Sequence, residues 1–90
     1  MREHLKIRIF GLVQGVYFRR SAKAEAERLG LGGFVQNKDD GTVYLEVEGT
    51  RDQLDQFLNW CAQGPSQAKV EKVIFERENL LKGFKDFEAC

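Results

Sequence analysis

The sequence has few histidines and cysteines and carries no net charge. Its 90 residues include one histidine, two cysteines and one proline, and fourteen Lys and Arg residues balance fourteen Asp and Glu residues. A balanced chain has no net field to attract a polyanion such as DNA or an anionic membrane. The segment from Met1 to Lys6 is charged and leads into a short apolar stretch, which fits neither a signal peptide nor a membrane span. We therefore expect a cytoplasmic protein that binds neither nucleic acid nor membranes.

The cysteines and the histidine form no recognisable site. Cys61 and Cys90 lie far apart and match no zinc or redox spacing, so both are predicted to be free thiols, with a disulfide as the less favoured alternative. His4 precedes the first predicted strand, and we expect it to be exposed and without a functional role. The length suits a single domain over residues 1–90, so any substrate is small or bound at the surface.

The first third of the chain is predicted to form a strand, a loop and a helix. Apolar and polar residues alternate from Leu5 to Ile9, the pattern of a half-buried strand. From Phe18 to Leu29 the apolar residues recur at helical spacing, and Gly30 suits the left-handed position that ends many helices. The loop between strand and helix therefore spans the positions just before Phe18.

The rest of the chain is predicted to add a hairpin, a second helix and two further strands. In order these are a strand over 34–38, a turn at Asp39-Asp40-Gly41, a strand over 43–47, a helix from a Thr50/Gln53 capping box to Gly64-Pro65, and strands over 70–75 and 84–88. The irregular spacing from Val70 to Val73 predicts a β-bulge.

This order of elements predicts an α+β domain of the ferredoxin-like sandwich type (βαββαβ). Right-handed crossovers would place both helices on one face of an antiparallel sheet. The opposite face is expected to be polar and solvated, and Glu46 and Glu48 are expected to lie exposed on it rather than to act as an acid-base pair.

The loop before the first helix is the best candidate for a functional site. The first turn of a helix has N–H groups without partners, and Gly15 can turn successive N–H groups inward to surround an anion. Arg19 can grip two phosphate oxygens through its planar guanidinium. Tyr17 is a candidate for the rim of the site, Phe18 continues the buried helix face, and Arg20 is expected at the surface. Spacing alone leaves an alternative equally open, in which the glycines serve the turn and the arginine is solvated.

A family resemblance favours the first interpretation. Gly11-x-Val13-Gln14-Gly15-Val16-x-Phe18-Arg19, then Gly33-Phe34-Val35-Gln36-Asn37 and Gly41-Thr42-Val43, resemble the motifs of the acylphosphatase family, as do Gly49, Phe57, Gly64-Pro65, Ala68 and Val70. The resemblance implies the same ferredoxin-like fold and hydrolysis of acyl phosphates to a carboxylate and phosphate, with no cofactor and no metal. It places Arg19 on the phosphate and Asn37 on the attacking water. The implied phosphate-binding backbone is that of Gln14, Gly15, Val16, Tyr17, Phe18 and Arg19.

The resemblance also sets the expected partners. The substrate is expected to be a small acyl phosphate, phosphate or sulfate is expected to bind as a product-like ligand, and the protein is expected to be a monomer. The chain ends Phe87-Glu88-Ala89-Cys90, where family members commonly have an aromatic and a basic residue, so the pairing of the last strand stays open. The alternative function is a non-catalytic ferredoxin-like module that binds a ligand or a protein. RNA binding is disfavoured, because Tyr44 is the lone aromatic candidate beside Glu46 and Glu48.

Overall fold

The computed structural model describes residues 1–90 and contains five strands and two helices. Their bounds are β1 Arg2–Leu12, α1 Phe18–Leu29, β2 Gly32–Asn37, β3 Val43–Thr50, α2 Arg51–Cys61, β4 Lys69–Glu78 and β5 Phe87–Ala89. The βαββαβ order predicted from the sequence is confirmed. The terminal strand predicted over 84–88 is present as β5, but it begins at Phe87 and ends at Ala89. Neither helix is long and apolar enough to cross a bilayer.

The strands form one sheet in the order β4-β1-β3-β2-β5. The first four are antiparallel neighbours, as predicted, whereas β5 pairs in parallel with β2 and makes the sheet mixed. The alternating apolar residues of β1 and β3 are fully buried in one core with apolar residues of both helices. These β1 and β3 residues are Leu5, Ile7, Ile9, Val43, Leu45 and Val47.

Two local sequence signals mark helix ends as predicted, one at the end of α1 and one at the start of α2. Gly30 closes α1 with a φ of 76°, and Thr50 and Gln53 form a reciprocal capping box at the start of α2. In β4, Glu71 is an extra residue between the partners of Phe10 and Gly11, so the predicted bulge is confirmed.

The prediction that the sheet face opposite the helices is solvated is wrong for its central part. β4 and β5 lie at opposite edges of the sheet, so the segment that joins them, residues 79–86, has to cross that face. Beneath this crossing segment Glu46 and Glu48 are only 6% and 1% exposed, and His4 is 0% exposed. The predictions of an exposed His4 and of solvated glutamates are therefore also wrong.

The cysteines are unpaired, as predicted. Cys61 is buried on α2 and Cys90 is exposed after β5. Burial raises the pKa of the Cys61 thiol, which makes it a poor nucleophile.

The topology determines which elements can build a site together. β1 and β2 are both antiparallel to β3, and β5 is parallel to β2, so β1, β2 and β5 run in the same direction. The carboxyl-terminal ends of these three strands therefore lie at the same end of the sheet. The loop after β1 and the start of α1 lie at that end too.

Candidate active site

The loop between β1 and α1 is anchored by alternate side chains. Val13, Val16 and Phe18 are buried in the core, whereas Gly15 and Tyr17 lie exposed between them. Gly15 has a φ of 75° and Tyr17 a φ of 63°, and Tyr17 is the only non-glycine residue with a positive φ. A left-handed conformation costs a non-glycine residue about 1–2 kcal/mol. Such strain recurs at ligand sites, where the surrounding structure enforces it.

The amino terminus of α1 offers main-chain donors to an anion. Its first backbone hydrogen bond runs from Ser21 N–H to Tyr17 O at 3.0 Å, so the N–H groups of Phe18, Arg19 and Arg20 have no helical acceptor. No side chain caps the helix, and its first turn contains no acidic residue. The helix dipole adds a partial positive charge at this end. The arrangement suits a bound phosphate group.

Arg19 and Asn37 line the same cavity, which has a volume of about 600 Å³. Arg19 comes from the first turn of α1 and Asn37 is the last residue of β2. Arg20 and Lys23 also line the cavity, and no acidic side chain does. The remaining lining residues are Val13, Gly15, Tyr17, Phe18 and Ala89. The cavity therefore combines cationic and apolar surface with one carboxamide.

The Gln14 side chain fixes the loop to the β2–β3 hairpin. Its Nε2 donates to the carbonyl oxygens of Lys38 and Thr42 at 2.8 and 2.9 Å. Lys38 directly follows Asn37, so this pair of hydrogen bonds sets the distance between the loop and the end of β2. Gln14 Nε2 thus donates to two protein acceptors, so the Gln14 side chain has no donor left for an anion.

The Arg19 guanidinium is held from the opposite side by the end of the chain. Its Nη1 donates to the main-chain oxygen of Cys90 at 2.5 Å, and Cys90 N–H donates to Val35 O at 2.8 Å. These contacts connect α1 to β2 through the residue after β5. They orient the guanidinium beside the cavity.

Comparisons with known proteins identify the family of this chain. The acylphosphatase family model matches residues 5–89. The chain belongs to the acylphosphatase family. The acylphosphatase of Rubrobacter xylanophilus is 42% identical over 90 residues, covering 98% of this chain and 82% of that one. The acylphosphatase of Geobacter sulfurreducens is 44% identical over 83 residues, covering 92% and 91%.

A solved structure extends the agreement to the whole acylphosphatase fold. The crystal structure of acylphosphatase from Bacillus subtilis superposes with a TM-score of 0.95 at 32% sequence identity, covering 100% of this chain and 99% of that one. The family resemblance stated from the loop motifs is therefore confirmed, and with it the ferredoxin-like fold.

The structure places the predicted site residues of this acylphosphatase in two groups. Gly15, Tyr17, Phe18, Arg19 and Asn37 line the cavity, whereas Gln14 and Val16 do not. Val16 points into the core, which leaves its main chain as the part available to a ligand.

Sequence reasoning missed five residues in or beside the cavity, namely Val13, Arg20, Lys23, Ala89 and Cys90. Lys23 lies four positions after Arg19 on the same helix face, a spacing that was available to find it. No sequence pattern predicts that Ala89 and Cys90 lie close to Arg19, because their position depends on the path of the crossing segment. Arg20 is exposed, as expected for a surface residue, but it also lines the cavity. No group of three or more His, Cys, Asp or Glu side chains is placed to hold a metal ion.

Proposed function

We propose that this acylphosphatase hydrolyses small acyl phosphates with Arg19 and the Gln14–Arg19 main chain on the phosphoryl group and with Asn37 on the water. The observation that carries these roles is the shared cavity: a fixed cation and a carboxamide face one space beside an uncapped helix terminus. The substrate phosphoryl group would occupy the loop end of the cavity, and its acyl group would lie towards the apolar lining.

Charge stabilisation is sufficient for much of this reaction. The leaving group is a carboxylate, which departs without a strong general acid. Phosphoryl transfer spreads negative charge over the equatorial oxygens, where Arg19 and the loop N–H groups donate hydrogen bonds. Because these donors are positioned before the substrate binds, little reorganisation is needed in the transition state.

Asn37 suits the role of positioning water. Its carboxamide oxygen accepts a hydrogen bond from water and its NH₂ group donates one, which together orient a water lone pair towards phosphorus. The new P–O bond forms as the bond to the acyl oxygen breaks, and the bonding electron pair leaves with the carboxylate. A phosphate oxygen takes the proton of the water. No side chain has to titrate in this scheme.

Phosphate release from benzoyl phosphate in the presence of a chelator tests the proposal. We expect turnover without added metal and competitive inhibition by orthophosphate or sulfate. Orthophosphate should also shift the amide resonances of the loop from Gly15 to Arg19 in an NMR titration. Binding without phosphate release would instead support a non-catalytic ferredoxin-like module, and activity that required metal would contradict the mechanism.

Three further properties are part of the proposal. Residues 1–90 are proposed to form a single domain, supported by one core that includes both helices and four of the strands. Two unpaired cysteines, one exposed, support a reducing compartment such as the cytoplasm. A monomer is supported by the charged residues along the edge strand β4, which disfavour pairing with a second sheet. Light scattering in dilute buffer tests the last point.

A further inference from the structure

A buried ionic cluster lies on the sheet face opposite the helices, away from the cavity. It consists of His4 on β1 with Glu46 and Glu48 on β3 and is called the His4 cluster below. His4 Nδ1 lies 2.7 Å from Glu48 Oε2 in a hydrogen bond, and His4 Nε2 lies 2.9 Å from Glu46 Oε1. The second contact lacks hydrogen-bond geometry, so Nε2 has no hydrogen-bond partner. Both ring nitrogens of His4 therefore face a carboxylate oxygen.

Both glutamates of the cluster are held in the charged form. Burial alone would raise the pKa of Glu46, but hydrogen bonds from Lys82 and Tyr44 and the nearby charges outweigh it and lower that pKa. Burial would likewise raise the pKa of Glu48, but hydrogen bonds from three main-chain N–H groups and from His4 lower it. Buried charges are retained only when paired and hydrogen-bonded in this way.

Glu48 binds the main chain of the crossing segment. Its carboxylate oxygens accept hydrogen bonds from the N–H groups of Lys82, Gly83 and Phe84 at 2.5, 3.0 and 3.3 Å. Gly83 turns the chain at this point with a φ of 79°. The Phe84 ring stacks on His4, with centroids 5.9 Å apart and planes 26° apart. The crossing segment is therefore fixed to β1 and β3 by the Glu48 carboxylate, by the Lys82–Glu46 ion pair and by the stack of Phe84 on His4.

The crossing segment continues directly into the residues that hold Arg19. Gly33 N–H donates to Asp86 O at 2.8 Å, and β5 then pairs with β2 over only three residues. A strand this short is weakly held by its own pairing. After β5, the main-chain oxygen of Cys90 accepts the hydrogen bond from Arg19. The position of Cys90 therefore depends on where the crossing segment is fixed.

We propose that His4 and Glu48 are positioning residues for Arg19. His4 orients the Glu48 carboxylate through the hydrogen bond at Nδ1, Glu48 fixes residues 82–84, and this anchors β5 so that the main-chain oxygen of Cys90 orients the guanidinium. The effect requires the role of Arg19 in the proposed function. Neither His4 nor Glu48 lines the cavity, so both act on the reaction through the crossing segment alone.

Glu48→Gln is the direct test, because it keeps the shape of the side chain and replaces one acceptor oxygen with a donor that faces main-chain N–H groups. Glu3→Gln is the matched control: Glu3 is the neighbour of His4 on β1 and pairs with Arg51 and Arg77 instead. We expect Glu48→Gln to lower kcat/KM and to weaken inhibition by orthophosphate, each by about tenfold, the middle of the range for coupling through packed elements. Glu3→Gln should change neither by more than about twofold, as for exposed ion pairs.

Two readouts separate positioning from a loss of stability. Amide exchange at Gly33 and Cys90 should accelerate in Glu48→Gln while exchange within the β1–β3 pairs stays unchanged, at a temperature where thermal unfolding shows the variant folded. In an Arg19→Ala background, Glu48→Gln should have no further effect on phosphate affinity, because the two changes act on one interaction. Additive effects in the double variant would overturn the proposal, as would wild-type phosphate affinity in Glu48→Gln.

A milder variant covers the case in which Glu48→Gln fails to fold. Phe84→Leu removes the stack on His4 and leaves the three main-chain hydrogen bonds. It should weaken orthophosphate inhibition about threefold and accelerate exchange at Cys90, and no change in either overturns the proposal. An inactive wild-type protein would refute the proposed function, whereas an active wild type with an unaffected Glu48→Gln would refute the positioning role alone.

Discussion

Replacing Arg19 with alanine removes the cation that we propose to bind the phosphoryl group. The guanidinium can donate two charge-assisted hydrogen bonds, each of which contributes about 1.5–3 kcal/mol. Together they correspond to about 3–6 kcal/mol, and each factor of ten in rate corresponds to about 1.4 kcal/mol. We therefore expect kcat/KM for benzoyl phosphate to fall by about 10³-fold, as for arginines that stabilise phosphoryl transfer.

The same change should leave the fold intact. The Arg19 residue is exposed, and its hydrogen bond to Cys90 O contributes about 1 kcal/mol. For a domain of this size such a loss lowers the melting temperature by about 4–8 °C. Steady-state kinetics and thermal unfolding are measured together. Arg28→Ala is the matched control, because Arg28 lies in the last turn of the same helix and pairs only with Glu25.

Arg19→Lys distinguishes the two-point hydrogen bonding of the planar guanidinium from its positive charge. Lysine keeps the positive charge but donates from one nitrogen, so it should restore part of the phosphate affinity and little of the turnover. A near-normal rate in Arg19→Ala, with Arg28→Ala also normal, would refute the assignment of the phosphoryl group to Arg19. A large loss in Arg28→Ala would mean that the assay reports helix stability instead.

Three further predictions concern Asn37, Gln14 and Glu48. Asn37→Ala should lower kcat by about 10²-fold with little change in KM, since it acts on water; Asn59→Ala on the exposed face of α2 is its control, and a collapse in KM at normal kcat would assign Asn37 to binding instead. Gln14→Ala should lower kcat by about tenfold while orthophosphate inhibition stays within about twofold, because it loosens the loop from the end of β2 and spares the main-chain donors. A normal kcat would show that the hydrogen bonds from Gln14 to Lys38 and Thr42 are not needed for turnover. Glu48 has a pKa below its ordinary 4.5 in the folded protein, so its contribution to stability is present above that value and is lost as the pH falls through the lowered pKa. Thermal unfolding between pH 7 and pH 3 should therefore show a smaller loss of stability in Glu48→Gln than in the wild type, and equal losses would contradict the pKa direction.

The elements were predictable because their signals are local. Alternation in β1 and β3, the glycine after α1 and the capping box of α2 each depend on residues close together in the chain, and each was confirmed. The same kind of local signal indicated the loop before α1 as a candidate site, and the family resemblance then favoured its role in binding phosphate. The role of Asn37 was predicted from the resemblance alone.

The environment of His4 was not predictable because it depends on a long-range path. Alternation correctly indicated that Glu46 and Glu48 point away from the helices, but it could not show what covers them. Residues 79–86 have no periodic pattern, and their route follows from β4 and β5 occupying opposite edges of the sheet. The hydrogen bond from Arg19 to Cys90 was missed for the same reason.

Arg19 and Asn37 belong to different elements, so their separation has to be fixed by contacts between those elements. On the hairpin side of β2, Gln14 joins the loop to Lys38 and Thr42. On the β5 side, Arg19 is joined to Val35 through Cys90. In the proposed mechanism the donors to phosphate and water have to be held to within about 0.5 Å by the protein itself. Contacts on both sides of β2 provide that restraint, and the second of them extends through the crossing segment to the His4 cluster.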